Sequence, residues 1–407
     1  MFKPAPTPIG MRSRDRQRKP MAMSAIETSI PITVDRHLSP VAFGQMAQAI
    51  AASGSVDYFQ VWDQLTSWYP QGLWTPENTP LAAIMPDCDS FPDMWTMAGY
   101  ASALAPELGI VLSTDSIRRG PAELAQSMLT LADLTGGRTI VQIGAGEVKQ
   151  TKPFGWKRAQ GIDRLEDIYR IFDALMTTDG PVTFQGHHTT LTDAWIGTAK
   201  ANRPQIWGLG GGPRIIDLAT SYGDGFCTMC PFVWSSPEKF AEERDTMRTQ
   251  LERKGRDPDT FRFGVWATML LHEDPNVVDR ALDNKLTRWL TAIAGRVNQS
   301  DWEKEGIEPP MPRDWHYAMK MLPLSMGRAE VEEWAGRATR EMTEKSYFYG
   351  SPAEAAAQFR PFIDAGVDFV GILDMAAFVL EPDELPAALG RSIAVSSYLK
   401  GFRHAQP

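Results

Sequence analysis

LGIVLSTDSIRRGPAELAQSMLTLADLTGGRTIVQIGAG, residues 108–146, holds one complete structural unit. LGIVLST (108–114) is a mostly apolar run of strand length. PAELAQSMLTLADLT (121–135) spaces its apolar side chains as a helix does, with proline first, where a missing N–H costs nothing. Gly136 and Gly137 stop that helix, and RTIVQIGAG (138–146) is apolar again. Strands without polar alternation need cover on both faces, which a parallel sheet with crossover helices provides.

The same unit repeats outward in both directions. Strands are predicted at IPITV (30–34), DYFQVW (57–62), PQIWGLG (204–210), DGFCTM (224–229), FRFGVWATMLL (261–271) and VDFVGIL (367–373). Helical patterns lie between them, one opening on Ser351 as cap and Pro352 at the first position. VTFQGHHTTL (182–191) reads as an inserted hairpin. Eight strands interleaved with helices predict a (β/α)8 TIM barrel, with its active site at the C-terminal strand ends. Residues 30–400 form one domain in this reading, with two large insertions at that face, about 65–93 and 275–345. Residues 1–29 read as a disordered tail without the apolar core of a secretory signal.

Composition narrows the function. The chain has 407 residues, 43% hydrophobic and 22% charged, with a net charge of −9. That balance argues against a nucleic-acid binder, which would carry a basic face. No run approaches the roughly 18 apolar residues of a membrane helix. Cys88, Cys227 and Cys230 are too few for a disulfide framework, so a reducing cytoplasm is expected. CTMC (227–230) has redox or metal spacing but no partner pair, and buried thiols are the plainer reading. No metal site is expected. His187 and His188 are neighbours on a strand and point to opposite faces, which disfavours a shared metal.

The predicted strand ends carry Asp35 and His37; Asp63 and Gln64; Ser113, Thr114 and Asp115; Gly144, Gly146 and Glu147; and Gly210, Gly211 and Gly212. GLGGGP (208–213) either is a tight turn or leaves backbone N–H groups and a helix N-terminus free for a phosphate. Arg118, Arg119 and Lys149 lie near this rim, as partners of an anionic tail or as solvated surface charge.

In order and spacing, GIVLSTDSIRRGPAELAQSMLTLADLTGGRTIVQIGAGE (109–147), KPFG (152–155), GGP (211–213) and YGDGF (222–226) resemble the luciferase-like monooxygenase superfamily. Within it the chain is most similar to the branch that uses the deazaflavin coenzyme F420, and there to mycobacterial phthiodiolone ketoreductase-like oxidoreductases. The resemblance implies a non-prolyl cis peptide at Val111-Leu112 supporting the coenzyme ring. It places Asp63, Thr114, Gly144, Gly146 and Glu147 on the coenzyme side, and Gly211, Gly212 and Pro213 at its phosphate. Trp68 would lie over the reacting ring, and a homodimer is implied.

The departure from the family is Gln64, where the compared members have histidine after the aspartate. An amide does not titrate near neutral pH, so Gln64 can hydrogen-bond a carbonyl but cannot carry its proton. Glu147 and His37 are the candidates for that task, with Gln64 and Trp68 completing the catalytic set. The insertions are rich in Trp and Met, including Trp74, Met85, Trp289, Trp315 and Tyr317, which suggests a bulky apolar or lipid-like substrate. The expected activity is F420-dependent hydride transfer to a carbonyl, or from an alcohol. The rivals are an FMN-dependent monooxygenase and a barrel that binds coenzyme or lipid without catalysis.

Overall fold

A computed structural model describes residues 26–32 and 35–404. Its strands are β1 (Glu27–Pro31), β2 (Tyr58–Trp62), β3 (Gly109–Asp115), β4 (Thr139–Gly144), β5 (Val182–Gln185), β6 (Thr190–Ala194), β7 (Gln205–Leu209), β8 (Gly225–Cys230), β9 (Arg262–Leu271), β10 (Phe348–Gly350) and β11 (Phe369–Asp374). Eight of them pair in parallel in the order β1-β2-β3-β4-β7-β8-β9-β11, and β11 pairs with β1 to close a (β/α)8 barrel. β5 and β6 form an antiparallel hairpin outside the barrel, as expected from the sequence.

The first strand begins at Glu27, three residues before its predicted start. The predicted tail boundary at residue 29 is corrected accordingly: residues 27–29 are strand, and residues 1–25 lie outside the described residues. Thr28 and Ser29 conceal the strand from an apolar-run search, yet both are buried. Their polar groups are satisfied: the Thr28 N–H donates to Asp57 Oδ2 (2.8 Å), and Ser29 Oγ lies 2.8 Å from the Gln60 amide. Strand ends and helix starts elsewhere follow the punctuation of the sequence. The helices Pro40–Ala52, Pro121–Leu134, Pro213–Tyr222, Pro237–Arg253 and Pro352–Asp364 all begin on proline.

The barrel interior has two layers. Trp207 on β7 meets Phe369 on β11 across the interior, with ring centroids 5.2 Å apart. Gly225 and Gly264 make room for the indole: a Cβ would lie 2.8 Å from it at Gly225 and 2.6 Å at Gly264. Tyr58, Val111, Ile140 and Cys227 complete this apolar floor. Above it lies a polar layer. The Trp266 indole N–H reaches Gln142 Oε1 (3.0 Å) on the far side, and Ser113 Oγ donates to the same oxygen (2.8 Å). With its amide oriented to suit its neighbours, Gln60 accepts from the indoles of Trp266 (2.9 Å) and Trp62 (3.1 Å). Both buried amide oxygens thereby find donors.

The two insertions pack on each other over the C-terminal end of the barrel. Tyr69, Leu73 and Trp74 from the first share an apolar core with Trp289, Met311 and Trp315 from the second. The Trp289 indole donates to the Trp68 carbonyl (2.8 Å), and Asn284 Nδ2 to the Asn78 carbonyl (2.6 Å). Cys227 and Cys230 are fully buried thiols on opposite faces of β8.

Candidate active site

The C-terminal strand ends and the insertions enclose a cavity of about 960 Å³. Asp63, Gln64 and Trp68 reach it from the segment after β2, Thr114 from β3, and Gly144, Gly146 and Glu147 from the end of β4. Gly211, Gly212 and Pro213 reach it from the end of β7. Segments far apart in the chain therefore converge on one space, as the barrel topology requires.

Three predicted positions do not arrive there. His37 is exposed on the turn after β1, with its backbone N–H donating to Asp35 Oδ1 (2.8 Å), and it does not line the cavity. Val111 points into the barrel floor and Leu112 outward against the helices, both fully buried. The peptide between them is not cis; the cis bond among the described residues is Cys230-Pro231. β3 keeps unbroken register with β2 and β4 through these residues, so Ser113 and Thr114 face the cavity instead.

Asp63 is a hub of hydrogen bonds. Its Oδ2 accepts from Thr114 Oγ1 (2.8 Å) and the Trp95 indole (3.1 Å), and Oδ1 pairs with Arg118 Nη1 (3.3 Å). Arg118 also pairs with Asp115 and donates to the Asp63 carbonyl. Burial opposes the Arg118 charge, but Asp115 and Asp63 outweigh it and hold its pKa above the ordinary arginine value. Arg118 and Arg119 are thus engaged by protein carboxylates; Arg119 pairs with Asp93 at 2.5 Å and lies 5.4 Å from the Trp95 ring.

Lys149 is buried, against the rim-surface reading. Its ammonium lies 3.0 Å from Glu147 Oε2, donates to the Thr66 carbonyl (2.8 Å) and sits 5.4 Å from the Trp68 ring. Burial pulls its pKa down, with Glu147 opposing. Neighbouring Gln150 accepts from the N–H groups of Leu65 (2.7 Å) and Thr66 (3.1 Å) and donates to the Thr66 carbonyl (2.8 Å). The segment after β4 thereby fixes the backbone between Gln64 and Trp68. Gln64 itself makes no side-chain hydrogen bond among the described residues, which leaves its amide available to the cavity.

The second insertion contributes His316 and Tyr317. The Tyr317 ring lies 4.4 Å from that of Trp68, at 39°. Burial, then the Glu147 charge, push its phenol pKa up, so the hydroxyl stays protonated. His316 accepts the Ala318 N–H at Nδ1 (3.2 Å), which puts its proton on Nε2, and burial with the nearby Arg158 lowers its pKa. Arg158 also lines the cavity; its Nε is buried without a partner among the described residues.

At the β7 end, Gly210 has φ 142°, which favours glycine, and Gly212 begins the helix Pro213–Tyr222 without a side-chain cap. A Cβ at Gly212 would meet nothing within 4 Å, so the turn faces open space. An unpartnered guanidinium nitrogen, a bare helix N-terminus and an aromatic wall suit an anionic, ring-bearing coenzyme.

Two carboxyls stand on the opposite side. Asp35 after β1 has its pKa raised by burial. Asp374 ends β11, and burial raises its pKa from 3.8 to about 7. The sequence reading stopped this strand at Leu373 and so passed over Asp374; an acid closing an apolar strand was the available signal.

The fold and site define a flavin-type or deazaflavin-type barrel enzyme, and the chain belongs to the luciferase-like monooxygenase family, whose profile matches residues 53–368. Among its relatives is the phthiodiolone/phenolphthiodiolone dimycocerosates ketoreductase of Mycobacterium kansasii, 27% identical over 354 residues, covering 85% of this chain and 94% of that protein. The F420-dependent glucose-6-phosphate dehydrogenase of Kineococcus radiotolerans is 25% identical over 317 residues, covering 76% and 78%. In structure the chain is similar to an F420-dependent secondary alcohol dehydrogenase solved with an F420-acetone adduct, with TM-score 0.68, 19% identity and coverage of 92% and 99%.

Proposed function

We propose that the protein is an F420-dependent oxidoreductase that moves a hydride between the deazaflavin and a carbonyl or alcohol carbon of a bulky apolar substrate. The observation that carries this is the cavity itself: one large space joining a glycine turn and Arg158, whose Nε has no partner among the described residues, to a wall of Trp68, Trp74, Met85, Phe91 and Phe378. The relatives' names favour F420 and a ketone or alcohol.

The coenzyme, when bound, supplies or accepts the hydride. Gly211, Gly212 and Arg158 would hold its anionic part, and Thr114, Gly144 and Gly146 would line its ring. Trp68 and Tyr317 exclude water from the reacting face. The Gln64 amide donates a hydrogen bond to the substrate oxygen and orients it, and the Glu147–Lys149 pair fixes the charge beside it. Asp63 acts through its neighbours, holding Thr114 and Arg118 in place. A homodimer in the cytoplasm belongs to this reading. No helix among the described residues is long and apolar enough to cross a membrane.

Titration of the coenzyme-free protein with F420 and with FMN, followed by assays on ketones and alcohols of increasing chain length, tests the proposal. Tight F420 binding and turnover that improves with apolar bulk are expected. Tight FMN binding without response to reduced F420 would point to the monooxygenase reading instead. Coenzyme binding without turnover on any substrate of the panel would mean a non-catalytic barrel.

A further inference from the structure

The cavity has an arm that leaves the strand ends. Leu385, Ala388, Leu389 and Ser392 line it from the last helix, Leu385–His404. Their spacing of three, four and seven residues puts them on one face of that helix. Leu38, on the turn after β1, and Met46, from the helix Pro40–Ala52, line it from the neighbouring unit. Beneath both helices run β1 and β11, the pair that closes the barrel. Ile30 on β1, Ile32 just beyond it and Ile372 on β11 also border the space. They belong to the apolar core between strands and helices, and not to the barrel floor around Trp207. The cavity therefore crosses the β1–β11 seam and enters the layer between barrel and helices.

Protein interiors normally fill such a layer, leaving few voids larger than a water molecule. Here Leu38, Met46, Leu385 and Leu389 are only half-buried, so both walls present apolar surface to the arm. Charge is distributed unevenly along the cavity. Arg118, Arg158 and Arg214 line it after β3, β4 and β7, far round the barrel from the seam. The charged residues that border the arm are Asp35 and Asp374, and Asp374 Oδ1 is turned to the backbone N–H groups of Leu271 (3.1 Å) and Ala376 (2.9 Å). A chain ending in a carboxylate or phosphate would meet like charge there and no cation. An uncharged hydrocarbon chain meets apolar side chains on both walls.

We infer that this arm takes the unbranched hydrocarbon chain of the substrate and sets the chain length that the enzyme accepts. The carbonyl stays at the strand ends beside Gln64 and Trp68, and the chain runs between Met46 and the Leu385–Ser392 stripe. That stripe rises about 10 Å along its helix. Methylenes within its reach leave water for an apolar wall, and those beyond it gain nothing. Ala388 and Ser392 are the small residues of the stripe and hence the positions that determine specificity. A larger side chain at either would stand where the chain lies.

The inference rests on the proposed F420-dependent reduction, and its test separates the two. Across methyl ketones of rising chain length, wild-type kcat/KM should increase up to about fourfold per added methylene and then level off once the arm is full. Ala388→Phe should lower the ratio of kcat/KM for a long ketone to that for butanone at least about tenfold. Met46→Trp, from the opposite wall, should do the same, and F420 titration reports whether each variant is folded. A carboxylate at the far end of the long ketone should cancel the gain from length. Position is read directly from wild-type co-crystals with a long methyl ketone bearing bromine at its chain end. The anomalous bromine signal is expected between Ile372 and Leu389. Bromine elsewhere, such as under Trp74 and Phe378, or no ordered bromine, would overturn the assignment, as would two folded variants with an unchanged ratio. A wild type that binds no F420 and reduces no ketone overturns the functional reading, and the bromine position then decides the arm by itself.

Discussion

The Tyr317 ring packs against that of Trp68 at a tilt of 39°, with centroids 4.4 Å apart, joining the second insertion to the segment that follows β2. The contact turns two chain-distant loops into one wall of the cavity. Aromatic pairs of this kind contribute about 0.5–1.5 kcal/mol beyond the area they bury. Tyr317→Ala should therefore raise KM for an apolar ketone about tenfold, with a smaller rise for Tyr317→Phe. Steady-state kinetics on a long-chain and a short-chain ketone would check this. An equal effect on both would show that the ring does not contact the substrate.

The glycine turn offers a test of the coenzyme end. Gly212 has φ −85° and open space where a Cβ would stand, so the fold should accept Gly212→Asp. A carboxylate there opposes an anion at the helix N-terminus. F420 affinity should fall at least about tenfold, or about 1.4 kcal/mol. Fluorescence titration measures it, and unchanged affinity would remove the phosphate from this turn.

Gln64→His introduces the histidine that the resemblance to the F420-dependent branch implies at this position. Coenzyme affinity should stay within about threefold, while the pH profile of turnover gains a step in the ordinary histidine range near 6.5. Loss of coenzyme binding would instead make Gln64 a coenzyme ligand.

Lys149→Met should destabilise the fold by about 1–3 kcal/mol in urea unfolding, because Glu147 and the Thr66 carbonyl both lose a partner. The partial exposure of Glu147 keeps the cost at the lower end of buried ion-pair losses. A silent substitution would mean that the pair is not formed in solution.

Asp374 also predicts a stability profile. Its folded pKa of about 7 lies above the ordinary 3.8, so between these values the native state binds the proton that the unfolded chain has released. This group's contribution is therefore greatest at low pH and is lost as pH rises through that window, at about 1.4 kcal/mol per pH unit. Asp374→Asn should flatten the window, so that its stability relative to wild type improves from pH 4 to pH 7. Denaturant midpoints across that range decide the matter.

Much of this was legible in the sequence. Seven of the eight barrel strands show as apolar runs because both their faces are covered, whereas Thr28 and Ser29 hide most of β1, and proline marks the start of several helices. The strand-end rule found Asp63, Gln64, Thr114 and Glu147, since topology alone carries those positions to the rim. It failed at His37, because lying near a strand end does not fix the direction of a turn residue. Position inferred from resemblance failed at Val111-Leu112, where side-chain alternation puts one residue in the floor and the other outside. Burial of Lys149 was hidden because its partners, Glu147 and the Thr66 carbonyl, meet it only in the fold. The contact of Tyr317 with Trp68 depends on how two insertions settle on each other, which no local pattern encodes.

The clamp formed by Gln150 has an evolutionary consequence. Because the backbone of Leu65 and Thr66 is held by a side chain from another loop, the residue at 64 does not hold its own segment in place. Position 64 can therefore drift between an imidazole and an amide while Trp68 keeps its post. The architecture tolerates turnover of its proton chemistry at one site, provided another group on the pocket wall takes up the task.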